Sequence, residues 1–415
     1  MANKTRKVLQ PQYMKKFHCI GADCEETCCG GWRIVIDKNT FQKYRECPDK
    51  DLRKQLKQHV TRIRTDADDT NYAKIKLNPD DGSCPLLDGD KLCSLQRKFG
   101  EEFLSLTCTA YPRLTNIVNG VSEKALTVSC PEAARIVLLN PEVMSFDETE
   151  EDASVRNTNG KIMETDDFKL AHTGLRYFWE LRIFVISLLQ NRAYKLWQRM
   201  VILGLFCRNL DQLISEGKVP AIPKLIGTYL DHLDSGVFRD ELNTIPNEFT
   251  IQMKLMKEVA DQRIFSGGVN LRYYECFAEF LEGIQYISES KVEDIGKNYV
   301  EAYEKYYRPF METREYIMEN YLVNDVFSNL FPFKGGKQVF DNYVMFVVNY
   351  SMIKLLLIGM AGLHKEKFNT DHVIKLIQSF AKVISHDENF LKGVIELLKE
   401  NNFNTMPYMA ILLKS

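Results

Sequence analysis

The longest apolar stretch of the chain reads Tyr343-Val-Met-Phe-Val-Val-Asn-Tyr-Ser-Met-Ile-Lys354-Leu-Leu-Leu-Ile-Gly-Met-Ala-Gly-Leu363. It is long enough to cross a bilayer. However, Asn349, Ser351 and Lys354 interrupt it, and such polar groups are costly in hydrocarbon. We therefore expect a buried helix at the centre of a helical domain, and no association with a membrane.

The chain on either side of this stretch carries the same helical signal. From Phe168 almost to the end, apolar residues recur at three-and-four spacing, beginning with Leu175, Phe178 and Trp179. Similar stripes lie at residues 192–216, 247–263, 270–288, 292–320, 338–363, 369–384 and 388–401, and strand-like alternation is missing from this part of the sequence. The pattern predicts an all-helical domain over residues 168–415.

A group of tyrosines falls on these predicted helices. At helical spacing their rings are expected to line cores or the faces between helices, and the alternative is that some border a substrate groove. The residues are Tyr273, Tyr274, Tyr299, Tyr303, Tyr306, Tyr307, Tyr316 and Tyr321.

A change of composition separates the helical part from the rest of the chain. Residues 141–167 are crowded with acidic side chains and continue into the polar run Asn157-Thr-Asn-Gly160. Like charges and few apolar groups leave little to bury there. We therefore expect an acidic linker over residues 141–167, between a first domain at residues 1–140 and the helical domain.

Short strands and helices are mixed in residues 1–140. Trp32–Ile36 and Tyr72–Leu77 have the pattern of strands, whereas Thr40–Glu46, Asp49–Val60 and Ser94–Leu106 are predicted to be helices, the last with Gly100 as a candidate bend. A domain built from such short elements gains stability from a bound metal. The predicted fold class is α+β, predominantly α, with a small cysteine-rich mixed domain followed by a larger all-helical domain.

Cysteines are concentrated in this first domain. Four of them fall in the run Cys19-Ile-Gly-Ala-Asp-Cys24-Glu-Glu-Thr-Cys28-Cys29, a density that core packing does not explain. Four more lie beside residues that fix the backbone or start a helix, such as Pro85 and Pro131. Thiolates bind metals, so the candidate metal ligands are Cys19, Cys24, Cys28, Cys29, Cys84, Cys93, Cys108 and Cys130. Cys47, Cys207 and Cys276 lie outside this pattern, and the last two are expected to be buried hydrophobes.

The thiols also have alternative roles, which the sequence leaves open. Disulfides are not expected, because the N-terminal residues contain no apolar run resembling a secretory signal and a reducing cytosol disfavours disulfides. Structural cysteine is the simplest alternative. Zinc suits four thiolates as well as an iron–sulfur cluster does, and we favour iron–sulfur partly because a second C-x-x-C pair is missing. One [4Fe–4S] centre takes four thiolates, so either only some of the eight are ligands or a second site exists.

Charge and motifs narrow the functional class. The 415 residues carry a formal net charge of −2, which gives no global reason to bind nucleic acid. The sequence lacks G-x-S-x-G, a Walker loop, H-E-x-x-H, and G-x-G-x-x-G after a strand. His18 adjoins the cysteine run, but a surface histidine is the simpler interpretation. Glu25, Asp37 and Tyr111 lack a triad-like arrangement and are interpreted as structural, so catalytic residues stay unassigned.

The cysteine segments together resemble a known family. The chain is similar to the flagellin lysine N-methylases in Tyr13-Met14-x-x-Phe17-x-Cys19-Ile20-Gly21-x-x-Cys24-Glu25-x-Thr27-Cys28-Cys29-x-Gly31-Trp32, Cys84-Pro85-Leu86, Leu92-Cys93-x-Leu95-Gln96, Thr107-Cys108-x-x-Tyr111-Pro112-Arg113 and Ser129-Cys130-Pro131-Glu132. That family belongs to a wider group with a zinc- or iron-chelating domain of the CxxCxxCC type. These motifs cover the first third of the chain, and the helical remainder matches in length and character.

The resemblance implies a lysine N-methyltransferase that uses S-adenosylmethionine and modifies flagellin, its protein partner, in the cytoplasm. It also implies a [4Fe–4S] cluster, with the eight cysteines as candidate ligands. It does not identify a methyl-donor site. The alternative functions are a non-enzymatic zinc or iron–sulfur scaffold that binds a partner through its helices, and an electron carrier or redox sensor.

The cysteine spacing departs from that of radical enzymes that use the same methyl donor. Those enzymes commonly carry C-x-x-x-C-x-x-C, whereas here Cys24-x-x-x-Cys28 is followed at once by Cys29, and Gly31 stands at the third position. The sequence therefore argues against a standard radical loop. Polar transfer also suits the product, but a lysine with a pKa of about 10.4 must first lose its proton. The enzyme has to desolvate that ammonium or supply a base.

Overall fold

The computed structural model describes residues 5–30, 33–65, 67–80, 82–152, 160–166, 170, 172–267, 270–287, 291–334, 338–385 and 388–414. Helix accounts for 62% of the chain and strand for 10%, so the predicted α+β, predominantly α class is confirmed. The chain divides into two compact units, Met1–Ala133 with Phe146–Met163, and Ala134–Ser145 with Glu164–Ser415. The eight candidate ligands all lie in the first unit.

Two sheets organise the first unit. The strands are β1 (Thr5–Pro11), β2 (Val35–Ile36), β3 (Val60–Arg62), β4 (Ala73–Ile75), β5 (Arg113–Val118), β6 (Val121–Leu126), β7 (Phe146–Asp152) and β8 (Ile162–Met163). One sheet has the order β7-β1-β6-β5-β8 and the other β2-β4-β3. The predicted strands at 32–36 and 72–77 are the origin of β2 and β4, although Trp32 lies outside the described residues.

The five-stranded sheet is missing from the sequence-based predictions. Its β5–β6 hairpin turns at Asn119 and Gly120, whose φ angles are +48° and +77°. Asn-Gly is the residue pair that two-residue hairpin loops favour, because both central positions need positive φ. The local signal for this hairpin was therefore present in the sequence.

Part of the predicted acidic linker forms a strand. Within residues 141–167, β7 pairs antiparallel with β1 along its whole length. Glu151 accepts hydrogen bonds from Arg6, at 2.8 Å, and from Lys124. Burial favours the neutral form of Glu151, yet these hydrogen bonds outweigh it and lower its pKa. Ion pairs with basic residues of other strands thus stabilise β7, and composition alone does not reveal these pairs. Residues 153–159 of the predicted linker lie outside the described residues.

Short capped helices complete the first part of the chain. They are α1 (Lys38–Arg45), α2 (Lys50–His59), α3 (Ser94–Phe99), α4 (Leu106–Ala110) and α5 (Pro131–Leu138). The side chains of Asp37 and Asp49 cap α1 and α2 by accepting hydrogen bonds from backbone amides. The helix predicted for 94–106 is divided, because Gly100, with φ +74°, ends α3, and Ser105 caps α4 as a new helix.

All the regular secondary structure described in the second unit is helical. Its helices are α6 (Phe178–Leu189), α7 (Leu196–Ser215), α8 (Ile222–Ser235), α9 (Val237–Asn243), α10 (Phe249–Phe265), α11 (Leu271–Gly283), α12 (Val292–Ala302), α13 (Arg308–Met311), α14 (Tyr316–Ser328), α15 (Val339–His364), α16 (Thr370–Phe380), α17 (Glu388–Glu400) and α18 (Met406–Leu413). π-Helical turns follow α12, at Tyr303–Tyr307, and α16, at Ala381–Ser385. Helices lie in each of the predicted stripes, but the stripe at 292–320 divides into α12, the π-helical turn, α13 and the beginning of α14, and α8, α9 and α18 were not predicted.

Helix α15 is the core of the second unit. Of the described helices, only Val339–Lys367 is long and apolar enough to cross a membrane by length and composition, and 89% of its most apolar window is buried inside the protein. The prediction of a central buried helix is confirmed. Helices α11 and α15 meet backbone to backbone, since a Cβ atom placed on Gly283 would overlap the carbonyl oxygen of Gly359.

Candidate metal centre

Four of the eight candidate ligands lie around the hydrophobic core of the first unit. Cys84 belongs to that core, and Cys93 and Cys108 pack against it together with Cys29. The amide of Cys84 donates a hydrogen bond to the carbonyl oxygen of Cys29 at 2.7 Å. Cys93 forms an isolated β-bridge with Leu87. Cysteines from distant segments of the chain thus share one hydrophobic core.

The thiols of this group interact electrostatically. Burial raises the pKa of Cys108 to about 12, with further increases from Cys93, Cys84 and Cys28, while Ser105 opposes them through a hydrogen bond. Burial also raises the pKa of Cys84 to about 11, with a contribution from Cys93. Each thiol therefore stays protonated at neutral pH, because a thiolate would be poorly solvated and close to other sulfur atoms.

The remaining candidate ligands form a second group. Burial raises the pKa of Cys130 to about 11, with contributions from Cys24 and Cys28. Burial raises the pKa of Cys24 as well, and the charges of Glu25, Cys28 and Cys19 add to this effect. Cys130 immediately precedes α5, so free amide groups at the start of that helix lie beside its sulfur.

Cys28 connects the two groups. It interacts with Cys108 of the first group and with Cys24 and Cys130 of the second. Its neighbour Cys29 contacts Cys84 through the backbone. Segments from residue 19 to residue 130 therefore bring the eight thiols into one connected region, and none of the eleven cysteines of the chain forms a disulfide.

All eight candidate ligands are thiols, the type of ligand that soft metals prefer. Among the residues that the structure describes, however, no group of three or more His, Cys, Asp or Glu side chains has an arrangement that could hold a metal ion. Ligation requires thiols to lose their protons and sulfur atoms to approach the metal to about 2.3 Å for zinc. The eight-cysteine ligand set remains a prediction.

The other cysteines are core residues. Cys47, Cys207 and Cys276 are each 0% exposed. For Cys207 and Cys276, the interpretation as buried hydrophobes is confirmed. Burial raises the pKa of both thiols, which keeps them protonated and unreactive.

The polar residues near the cysteine run have structural contacts. Asp37 caps α1 and accepts hydrogen bonds from the amide and hydroxyl of Thr40 at 2.9 and 2.7 Å. The hydroxyl of Tyr111 lies 3.2 Å from Ser129 Oγ, and burial raises its pKa well above the ordinary value. His18 and Glu25 are exposed. No catalytic role follows from these contacts.

The helical unit carries a family signature. The family model for the FliB lysine N-methylase C-terminal domain matches residues 182–412, which is more than half of the chain. The chain belongs to the FliB lysine N-methylase family. This match confirms the resemblance to the lysine N-methylases that the cysteine segments indicated. It also shows that the helical unit belongs to the same family.

Relatives of this FliB-family chain cover both units. A protein of Salmonella typhimurium named lysine-N-methylase is 24% identical over 395 residues, which is 93% of this chain and 94% of the relative. A protein of Salmonella choleraesuis with the same name has the same identity and coverage. The flagellar biosynthetic protein FliU of Salmonella muenchen is 32% identical over 141 residues, 34% of this chain and 82% of that protein. No solved structure matches the chain.

Proposed function

We propose that this FliB-family protein transfers methyl groups from S-adenosylmethionine to lysine side chains of flagellin. The observation that carries the proposal is the match of the helical unit, residues 182–412, to the lysine N-methylase domain. The names of two relatives that align with almost the whole chain support the reaction, and the flagellar name of FliU supports the substrate.

The proposed reaction is a polar substitution. The lone pair of a neutral lysine amine attacks the methyl carbon of the sulfonium in line, the new N–C bond forms, and the C–S bond breaks. The electron pair of that bond stays on sulfur, so S-adenosylhomocysteine leaves as a neutral thioether. Because an exposed lysine is almost fully protonated at neutral pH, its ammonium must give up one proton to a base or to water before the attack.

We also propose that the first unit holds an iron–sulfur cluster through cysteines of the connected thiol region, in the cytoplasm. An iron–sulfur cluster needs reduced cysteines as ligands, which a reducing compartment such as the cytoplasm maintains. Cys28 is the ligand on which we rely most, because it interacts with cysteines of both groups. A cluster bound there would stabilise short elements that bury little apolar surface.

Co-expression with flagellin tests the methylation. Flagellin from cells that contain this protein should show mass increases of one CH₂ for each methyl group added, located on lysines by peptide mass spectrometry. Flagellin expressed alone is the control. Unmodified lysines in both samples would contradict the enzyme and leave the scaffold function as the better account.

Metal analysis separates the cofactor question from the reaction. Protein purified without oxygen should contain iron and acid-labile sulfide and show the broad visible absorption of an iron–sulfur cluster. Zinc without sulfide would replace the cluster by a zinc site while leaving the methylation proposal intact. A preparation without either metal would contradict both versions of the centre.

A further inference from the structure

A cavity of about 350 Å³ opens within the helical unit. It lies between the beginning of α7, the π-helical turn Tyr303–Tyr307, α13, the beginning of α14, the middle of α15 and Lys414. Cavities that bind small molecules have about this size or are larger. The cavity therefore has room for a metabolite-sized ligand inside the domain that defines the family.

Aromatic rings line this cavity. Tyr303 and Tyr307 come from the π-helical turn, and their ring centroids lie 5.8 Å apart in a stacked arrangement. Tyr350 from α15 and the half-buried Trp197 from α7 complete the set. π-Helical turns are rare and are frequent at functional sites. The tyrosines expected to line interhelical faces thus include two that border a cavity.

A buried lysine also lines the cavity. Lys354 lies in the middle of α15 and is only 4% exposed. Its Nζ donates a hydrogen bond to the carbonyl oxygen of Leu413 at 3.2 Å and lies 5.8 and 5.9 Å from the ring centroids of Tyr303 and Tyr350. Burial lowers its pKa to about 7, although the nearby charge of Glu315 opposes this shift. The amine can donate three hydrogen bonds and makes one among the described residues, which leaves donors for a ligand in the cavity.

The charges around the cavity do not balance. The cationic lining residues are Lys195, Arg308, Lys354 and Lys414, and the acidic ones are Glu304, Glu312 and Glu315. Each carboxylate has a cationic partner, as Glu304 pairs with Arg308, Glu312 with Lys195, and Glu315 with Arg199. Lys354 and Lys414 instead donate to main-chain carbonyl oxygens. The surplus charge is positive, carried by Lys414 and by Lys354 when its amine is protonated, which suits the carboxylate of a ligand.

We propose that this cavity binds the methyl donor, S-adenosylmethionine, through Trp197, Lys354 and the tyrosines of the π-helical turn. The proposal rests on the proposed function. The donor carries a purine that stacks on aromatic rings, a sulfonium that aromatic faces attract, and a carboxylate that pairs with a lysine ammonium. Rings and surplus positive charge occur together in this cavity.

The flagellin lysine fits the same cavity less well. Its side chain carries one positive charge and no aromatic ring. It also lacks a carboxylate, so it offers no counterpart to the amines of Lys354 and Lys414, which donate only to main-chain carbonyl oxygens among the described residues. The charge pattern thus favours a ligand that brings its own carboxylate.

Binding measurements on the full chain test the assignment. Protein purified without oxygen, with its metal, is dialysed to equilibrium against radiolabelled S-adenosylmethionine, without flagellin. The test variants are Trp197→Leu and Lys354→Met. Trp179→Leu is the control for the first, because Trp179 is also half-buried in a helix of the same unit but does not line the cavity. Lys257→Met is the control for the second, because Lys257 is largely buried, packs over the ring of Tyr286 and also lies away from the cavity.

We expect the two cavity variants to bind about tenfold more weakly than wild type and the two controls to stay within about twofold of it. Equal binding by wild type and both cavity variants would place the donor elsewhere and leave the proposed function standing. Failure of wild type to bind would overturn the dependence on this donor, and with it both proposals. If Lys354→Met does not fold, as shown by circular dichroism, Trp197→Leu with its control decides. Displacement of the donor by a lysine-containing flagellin peptide alone would assign the cavity to the substrate amine instead.

Discussion

The backbone amide of Cys84 donates a hydrogen bond to the carbonyl oxygen of Cys29 at 2.7 Å. The adjacent residues Gly30 and Ser83 form an antiparallel bridge that holds the two segments together. Cys29 thus lies beside Cys84 through its backbone, while the neighbouring Cys28 interacts with Cys24, Cys108 and Cys130. The adjacent residues Cys28 and Cys29 therefore connect the two groups of cysteines.

Removing the connecting thiol should remove metal. We expect Cys28→Ala to lower bound iron and the melting temperature together, because a small unit that folds around its ligand loses both when a ligand is lost. Cys24→Ala should act in the same direction. Iron content and differential scanning calorimetry provide the measurements.

The matched control is Cys207→Ala in α7, which removes an equally buried sulfur from the helical unit. It should lower stability through lost packing and leave iron content unchanged. Normal iron in Cys24→Ala and Cys28→Ala would remove these residues from the ligand set.

The buried amine of Lys354 should make stability depend on pH. In the unfolded chain the amine holds its proton up to about pH 10.5, whereas in the folded chain it releases it near pH 7. Unfolding therefore takes up a proton between these values, and the stability of wild type rises with pH across this interval. Each pKa unit corresponds to about 1.4 kcal/mol.

Lys354→Met has no such proton to release. In the absence of ligand, we expect it to raise the free energy of unfolding most at and below pH 7, with the difference shrinking toward pH 10.5. Urea denaturation at several pH values measures this. A difference between the two proteins that does not change with pH would show that the amine is not held in its neutral form.

A buried ion pair should be sensitive to the loss of one partner. Arg199 Nη1 lies 2.6 Å from Glu319 Oε2, and both side chains are 1% exposed. Arg199→Met removes a cationic partner from the buried carboxylate of Glu319. We expect this to lower the free energy of unfolding by about 3–5 kcal/mol. Urea denaturation followed by helical circular dichroism reports this loss.

The exposed pair of Lys297 and Asp294 is the comparison. Lys297→Met should leave the denaturation midpoint unchanged, since water and salt screen this pair. Similar losses of stability in Arg199→Met and Lys297→Met would mean that burial of an ion pair does not determine how much it stabilises the fold.

The contact of α11 with α15 should not tolerate a methyl group. We expect Gly283→Ala to lower the free energy of unfolding by about 1–3 kcal/mol or more, because its Cβ would overlap the carbonyl oxygen of Gly359 and force the helices apart. Gly227→Ala in α8 meets no atom within 4 Å and should instead stabilise by up to about 1 kcal/mol. If both substitutions stabilise the protein, the close approach of the two helices is wrong.

Much of the helical unit was readable from local pattern. Helix α15 was predicted from one apolar run, and its neighbours from three-and-four spacing, because a helix makes its hydrogen bonds within its own segment. The missed helix α9 has only seven residues, which is too short for a clear periodic signal, and Pro223 lies in the first turn of α8, where a proline is easily interpreted as the end of a helix. The sheet of β1, β6 and β7 was not predicted, because its strands are distant in sequence and gain order only by pairing.

The sequence by itself determined which residue types are available: eight cysteines in one region of the chain, a lysine in an apolar helix, and the periodicity that makes most of the protein helical. Only the tertiary structure decided which of them meet. Cys28 lies near cysteines that follow it by up to about a hundred residues, and Lys354 shares a cavity with Trp197 and Tyr303 from distant helices. Long-range proximity depends on how elements pack against one another, and local spacing does not encode that packing.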